Sequence, residues 1–536
     1  MLRKIILTFI VLFTGCFTLK AQKSSSDSAE AVIDFYASKF KVILQTIYQN
    51  YDDKVDIVDL SDKCFNAMLT SLDPFSHYFS AETWKKMLAD SRGSDIGVGL
   101  ELFNRNDTLN VVCVSEGSPA ELAGIKSGDK ILFIDGQSFI GKSVAQADEI
   151  LSGEDNSKVE LIIKQKDGNE LKALSLIRHE YEIPSVATEF IMRDNKMLYI
   201  KLLRFSDKTP DELRKIIRSY SQGSYKGIML DLRDNQGGNL EAVIDVCKDF
   251  THKGDTILTT KARNPEYLLE YINEREGEFA KIPVVVAVNQ LTASASEIVC
   301  GVMQDLDRGI VVGTITTGKG LVQNSWKYSD TSAFRITVAK YYTPHGRLIQ
   351  KPYNIDTNNL IPEDVKLNMS EEEFQKLKET MIQNGGLNKA TVCKSRKGRI
   401  LFGNGGIRPD LDVPCDTVTL LTQVIQNRGI LVEYALDYVA LHRSELLSRF
   451  KNYKEFVSKY VMSEVEFENF TQFYRSKNIW NDEMLKTDKD ILRIKLEAVI
   501  GYLIWGNSAY YGMLTYHDSQ ISACAANLPQ AVEIMK

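Results

Sequence analysis

Residues Ile282–Leu306 read IPVVVAVNQLTASASEIVCGVMQDL. The first seven, IPVVVAV, form an uninterrupted apolar run of strand length, the pattern of a strand buried on both faces. From Glu297 onward, Ile298, Val299, Val302, Met303 and Leu306 recur at helical spacing, so a helix is expected over Glu297–Leu306. Ser294 falls between the two elements. A serine at such a strand-to-helix turn presents its hydroxyl beside backbone N–H groups that the first helical turn leaves unpaired, and these suit a developing oxyanion.

A hydroxyl needs a base to become a nucleophile. Lys319, in Gly318-Lys319-Gly320, follows by 25 positions (319 − 294) and is the candidate. Lysine accepts a proton only when neutral, which near pH 7.4 requires its pKa to fall by roughly 3 units, at about 4 kcal/mol. Ile310, Val311, Val312, Ile315, Leu321 and Val322 flank it in sequence and could supply the burial. On these residues alone, Ser294 as a helix cap and Lys319 as a solvated loop lysine remain open.

Thr292–Glu297 (TASASE) and Thr317–Gln323 (TGKGLVQ) resemble the two catalytic segments of the C-terminal processing peptidases, also called tail-specific proteases. The resemblance implies Ser294 as nucleophile, Lys319 as general base and Gln323 as the residue that supports and orients the lysine. Asp305 matches an acidic position with a supporting role, and Ser296 is the rival nucleophile. A third segment agrees: the strand pattern Lys226–Leu232 (KGIMLDL) runs into Arg233-Asp-Asn-Gln-Gly-Gly238, where the family has a similar glycine turn. By resemblance, a backbone N–H of Gly237 or Gly238 completes an oxyanion hole with that of Ala295. Gly313–Lys319 also has the spacing of a phosphate-binding loop. It lacks the Ser or Thr that should come next, and the residues after it look extended rather than helical.

Ile96–His179 carries Gly97-Val-Gly-Leu100, Ser118-Pro-Ala-Glu-Leu-Ala-Gly124 and Gly128-Asp-Lys-Ile-Leu132, with a helix expected over Ser143–Leu151. This resembles a PDZ domain, whose glycine-rich loop takes a peptide's terminal carboxylate while the peptide adds as a strand. Gly97, Val98, Gly99 and Leu100 would form that loop, and Val98, Leu100, Ala147 and Leu151 would line an apolar pocket. Met197–Ser221 reads as strand then helix, with a capping box expected at Thr209–Glu212.

The expected fold is multidomain α+β: a crotonase-like (ClpP-like) α/β peptidase core with an inserted PDZ-like β-barrel domain and helical regions at both ends. The divisions are 1–21 leader, 28–92 helical segment, 93–179 PDZ domain, 185–355 peptidase core, 356–395 polar insertion, 396–415 returning core segment and 416–536 helical region. In Ser28–Leu72 the apolar markers are Phe35, Phe40, Val42, Ile43, Ile47, Leu60, Met68 and Leu69.

Met1–Gln22 has the pattern of a secretory leader, with Arg3 and Lys4 before an apolar run too short for a stable anchor. Soluble export to the periplasm or cell envelope is expected, with a membrane tether only if Cys16 is lipidated. The 536 residues carry a formal charge of −6, which argues against nucleic-acid binding by bulk charge. The eight cysteines contain no Cys-x-x-Cys pair and the six histidines no metal-ligand spacing, so neither a metal nor an organic cofactor is expected. The expected partners are protein or peptide substrates with free apolar C-termini, with oligomerisation open. The reading is an exported serine endopeptidase; its alternative is a non-catalytic PDZ scaffold on a peptidase-like fold.

Overall fold

The structure, a computed structural model, describes residues 29–165, 171–192, 195–221, 223–352 and 392–536. The leader with Cys16, and the polar insertion up to residue 391, lie outside the described residues. The chain divides into two units, one ending at Leu72 and one running from Asp73 to Lys536.

In the first unit, α1 (Ala29–Asn50) and α2 (Ile57–Thr70) follow the expected helical periodicity, and Asp56 caps α2 by accepting from Val58 and Asp59 N–H. Burial does not follow. Leu69 is the one buried residue of the two helices, while Phe35, Val42, Ile43 and Met68 are exposed. Periodicity fixes a helix and its apolar stripe, but two helices alone offer too little surface to cover those stripes.

The second unit begins before the expected boundary at residue 92. Strand β1 (His77–Phe79) pairs with a strand of the peptidase core, and helix α3 (Ala81–Arg92) ends on left-handed Gly93. The PDZ domain comprises β2 (Ser94–Gly97), β3 (Leu100–Arg105), β4 (Thr108–Val114), α4 (Pro119–Leu122), β5 (Lys130–Ile134), β6 (Gln137–Ser138), α5 (Val144–Leu151), β7 (Lys158–Lys164), β8 (Leu171–Ile177) and β9 (His179–Glu182). Its main sheet runs β3-β4-β5-β7-β8 over a core that includes Leu109, Val111, Ile131, Val159 and Ile163. Ser143 caps α5 in a capping box with Gln146.

The peptidase core contains β10 (Val186–Ile191), β11 (Met197–Leu202), α6 (Thr209–Ser219), β12 (Gly227–Asp231), α7 (Leu240–Phe250), β13 (Thr256–Lys261), β14 (Glu270–Ile272), β15 (Val284–Val288), α8 (Ala295–Asp305), β16 (Gly309–Gly313), β17 (Leu321–Lys327), β18 (Ala333–Tyr342), β19 (Val392–Lys394), β20 (Ile400–Phe402) and β21 (Leu411–Asp412). The central sheet has the order β10-β11-β12-β15-β16-β21, parallel except for the β10–β11 pair. A second sheet joins β1, β18, β13 and β14, with β17 also on β18. The capping box expected at Thr209–Glu212 does not form. The Glu212 carboxylate instead accepts from Ser185 and Val186 N–H, at the start of the edge strand.

The last segment is all helix: α9 (Leu420–Asn427), α10 (Ile430–Arg449), α11 (Tyr453–Lys459), α12 (Glu464–Ser476), α13 (Asp482–Trp505), α14 (Asn507–Tyr516), α15 (Ser519–Ala526) and α16 (Leu528–Met535). A parallel sheet must be covered on both faces, and these helices supply one cover. Val284, Val286 and Val288 of β15 face the cluster built with α7 and α8, whereas Val285 and Ala287 face Ile521, Cys524, Leu528 and Ala531. The core is therefore three layers deep, with an outer layer contributed by the C-terminal helices.

Candidate active site

Strand β15 ends at Val288, and the turn Asn289–Ala293 delivers Ser294 to the start of α8. Ser294 has φ 56° and ψ −118° at the N-cap of the helix it precedes. A β-carbon residue in that region is strained, and such strain is retained where surrounding contacts over-determine it. Ser296, the rival nucleophile, is fully buried and its hydroxyl donates to the Asn235 carbonyl at 3.0 Å, so it is not available to a substrate.

Glu297 is the residue that sequence reasoning passed over. It is 0% exposed, yet four donors converge on its carboxylate. Oε2 accepts from Ser294 N and Lys319 N, both at 2.8 Å, and Oε1 accepts from Gly318 N at 2.7 Å and Thr316 Oγ1 at 2.5 Å. Burial pushes its pKa above the ordinary glutamate value, and the four hydrogen bonds oppose that rise by favouring the charged form. A second tie comes from Tyr341, whose buried hydroxyl lies 3.0 Å from the Ser294 carbonyl oxygen and 2.8 Å from that of Lys319. The two backbones are thus bound to each other through one carboxylate and one hydroxyl.

The Lys319 side chain is half-buried, and burial is the first cause holding its pKa below the ordinary value; the Arg335 charge adds to it, while Asp73 and Glu297 oppose it. Its ammonium lies 5.1 Å from the centroid of the Phe75 ring. No hydrogen bond joins it to Ser294 Oγ among the described residues. Gln323 does not bond the lysine either: its amide donates to the Phe75 carbonyl at 2.6 Å, and so fixes the ring on which the lysine rests. Residues Leu321–Lys327 form strand β17, which removes the helix that a phosphate-binding loop requires.

The glycine turn lies against the serine turn. Gly237, at φ 99°, sits so close that an added Cβ would be 2.8 Å from Ala295 N and 3.0 Å from Ser294 Cβ. Gly238, at φ 148°, has the Phe205 carbonyl oxygen 2.0 Å from where a Cβ would be. Only glycine fits either place. The Gly237 N–H is already used, donating to Asn235 Oδ1 at 2.9 Å. The N–H groups of Gly238 and Ala295 have no acceptor among the described residues. Asn235, also unmarked by sequence reasoning, stitches the two turns: its carbonyl accepts from Ala293 N and Ser296 Oγ, and its amide donates to the Leu202 carbonyl.

Asp305 ends α8, an 11-residue helix that at 1.5 Å per residue puts it about 16 Å from the serine. Its carboxylate is fully buried, pairs with Arg347 at 2.7 Å, and accepts from Thr343 Oγ1 and His345 N. It anchors the helix end and does not reach Ser294 or Lys319.

In the PDZ domain, Gly97, Val98, Gly99, Leu100 and Leu151 line a cavity of about 520 Å³, together with Lys85 and Lys86 of α3 and Asp148 of α5. Ala147 does not line it. That alanine is 0% exposed and packs inward, because α5 turns it toward the domain core; the groove-facing position one residue on is Asp148. A separate cavity of about 870 Å³ lies between the end of β10 and the C-terminal helices and is lined by none of the candidate site residues.

The profile of peptidase family S41 matches residues 196–359, the segment that carries both turns and Lys319. A PDZ profile matches residues 111–165, and a family of unknown function, DUF8443, matches residues 421–506. The carboxy-terminal-processing protease of Bartonella bacilliformis is 30% identical over 354 residues, spanning 65% of this chain and 81% of the relative. The chain belongs to the carboxy-terminal processing proteases of peptidase family S41. The carboxy-terminal processing protease CtpA of Bacillus subtilis is 33% identical over 339 residues, or 63% of this chain and 71% of that protein. A probable CtpA-like serine protease of Staphylococcus epidermidis is 29% identical over 381 residues, covering 69% and 76%. This S41 peptidase is a serine-type C-terminal processing endopeptidase, and it carries a PDZ domain.

Proposed function

We propose that this protein is exported and cuts protein substrates selected by their C-terminal tails, using Ser294 as nucleophile and Lys319 as general base. The observation that carries the reading is the double tie of Ser294 and Lys319 by Glu297 and Tyr341, next to two unengaged N–H groups. Both backbone nitrogens are 2.8 Å from one oxygen, so they lie no farther apart than twice that distance. The reading requires the Lys319 side chain to leave the Phe75 ring and bring its amine to the serine hydroxyl.

The neutral Lys319 amine takes the Ser294 proton as Oγ bonds to the scissile carbonyl carbon, whose oxygen becomes the oxyanion. Ala295 N–H and Gly238 N–H stabilise that charge, a contribution of roughly 3–4 kcal/mol per donor. Collapse breaks the C–N bond, and Lys319 returns its proton to the leaving amine. Water then attacks the acyl-enzyme, giving its proton to Lys319, and the carboxylic acid leaves as Ser294 regains its hydrogen. Gly97–Leu100 take the substrate's terminal carboxylate, and the apolar side chains of Val98, Leu100 and Leu151 favour an apolar last residue. Export rests on the Met1–Gln22 pattern.

The test is digestion of casein by the wild-type chain, Ser294→Ala and Lys319→Ala. Each substitution is expected to lower the rate on the order of 10⁴-fold or more. Equal digestion by all three removes the dyad.

A further inference from the structure

Two cations rest on one short strap. Residues Asp73–Phe79 lead into β1, which pairs antiparallel with β18 so that His77 stands opposite Arg335. The Lys319 ammonium lies 5.1 Å from the Phe75 ring centroid, and the Arg335 guanidinium lies 5.4 Å from that of Phe79. The strap is held by Gln323 Nε2 on the Phe75 carbonyl at 2.6 Å and by Thr337 N on Ser76 Oγ at 3.2 Å. Arg335 is half-buried and donates through Nε to Ser325 Oγ at 3.1 Å. Neither cation has a carboxylate within ion-pair distance among the described residues.

A guanidinium partly withdrawn from water without a carboxylate partner carries a cost that a neutral side chain of similar size would not. Across the strap the Arg335 charge acts on the Lys319 amine, the group that must stay unprotonated. We propose that Arg335 is a positioning residue for catalysis, a fixed positive charge that keeps Lys319 in its proton-accepting form. The groups that bear on Lys319 come from three elements: Arg335 on β18 disfavours the ammonium, while Asp73 on the strap and Glu297 on α8 favour it, and burial acts in the same direction as Arg335. Burial is the larger cause. The arginine supplies what burial alone leaves short, since a half-exposed lysine keeps part of its hydration.

The inference rests on the Ser294–Lys319 reading, and the experiment separates the two. The acid limb of the pH dependence of kcat/KM for casein cleavage is measured for the full chain, for Arg335→Gln, Arg335→Lys and Asp73→Asn, with Ser294→Ala and Lys319→Ala alongside. Removing the positive charge should move the limb of Arg335→Gln to higher pH by roughly one unit. Removing the negative charge should move that of Asp73→Asn to lower pH, and Arg335→Lys should keep the wild-type limb. A structural role for the arginine lowers the rate without moving the limb, so a limb unmoved in Arg335→Gln overturns the proposal. If Arg335→Gln does not fold, a limb in Asp73→Asn that stays or rises overturns it. If Ser294→Ala and Lys319→Ala still cleave, the dyad reading fails first.

Discussion

Glu297 holds Lys319 by its backbone: Oε2 accepts the Lys319 N–H at 2.8 Å, while the lysine side chain points to the Phe75 ring. Because the same oxygen also holds Ser294 N, the carboxylate sets the spacing of the two residues proposed as nucleophile and base. Glu297→Gln replaces one acceptor oxygen by a donor that would face two of the four N–H or O–H groups. Hydrogen bonds to a charged group are worth roughly 1.5–3 kcal/mol each, and a displacement near 1 Å at a reacting group costs about 10²-fold. The expected outcome is a kcat lower by at least about 10²-fold with a smaller change in KM, read by steady-state kinetics on a protein whose circular dichroism is unchanged. A kcat near wild type would mean that Glu297 only packs.

The PDZ domain is fastened to the C-terminal helices, in part by Arg105 and in part by the Tyr502 hydroxyl on Glu101. The Arg105 guanidinium pairs with both oxygens of Asp437 at 2.6 Å and reaches Glu433 at 3.3 Å, while Phe103 beside it packs against the C-terminal cluster. Asp437 is half exposed, so solvent limits the pair to about 1 kcal/mol. Arg105→Glu adds repulsion from both acids. Amide exchange in β3 and α10 should then speed up several-fold while exchange in β12 and β15 stays as it was. Equal protection throughout would show that the apolar contacts and the Tyr502–Glu101 bond hold the domain without the arginine.

The strand-turn-helix at Val284–Asp305 was legible from apolar runs and helical spacing, and so were helix α5, though not its cap, and the extended β17. These features are local, and local pattern carries them. What stayed hidden depends on partners distant in sequence. Glu297 reads as an ordinary first-turn acid until Gly318 and Lys319 fold onto it, and Tyr341 reads as one of two adjacent tyrosines in a strand. Ala147 has the right helical offset for a groove, yet a one-residue difference in facing gives that place to Asp148. The exposed stripes of α1 and α2 show the converse, a pattern without the surface needed to bury it.

Tail selection has its own signature. Gly97–Leu100 line a cavity that Lys85 and Lys86 share with the acids Glu82, Asp90, Asp95, Asp148 and Glu149, so on the proposed reading the loop's backbone N–H groups, and not net positive charge, hold a terminal carboxylate. Two peptides of one sequence, one ending in a free carboxylate and one amidated, should differ in kcat/KM by roughly 10-fold or more, about the worth of one charge-assisted hydrogen bond. Equal cleavage of the pair would detach recognition from this loop.

Stability should fall with rising pH because of Glu497, inside the C-terminal helices. This carboxyl is 3% exposed and accepts the Met462 N–H at 2.7 Å. Burial pushes its pKa from 4.5 up to about 7; the Met462 bond and the Arg493 charge oppose the rise, and the Glu466 charge adds to it. Between those two values the folded chain keeps a proton that the unfolded chain has released, so the contribution is complete below about pH 4.5 and is lost as pH climbs to about 7. The span amounts to roughly 3 kcal/mol. Glu497→Gln cannot ionise, and its amide oxygen can still accept from Met462. Its Tm should exceed that of wild type by several degrees at pH 8, and the advantage should vanish near pH 4.5, as scanning calorimetry at the two pH values would reveal. The same Tm difference at both would mean that Glu497 titrates as an ordinary carboxylate and that its burial is relieved by water.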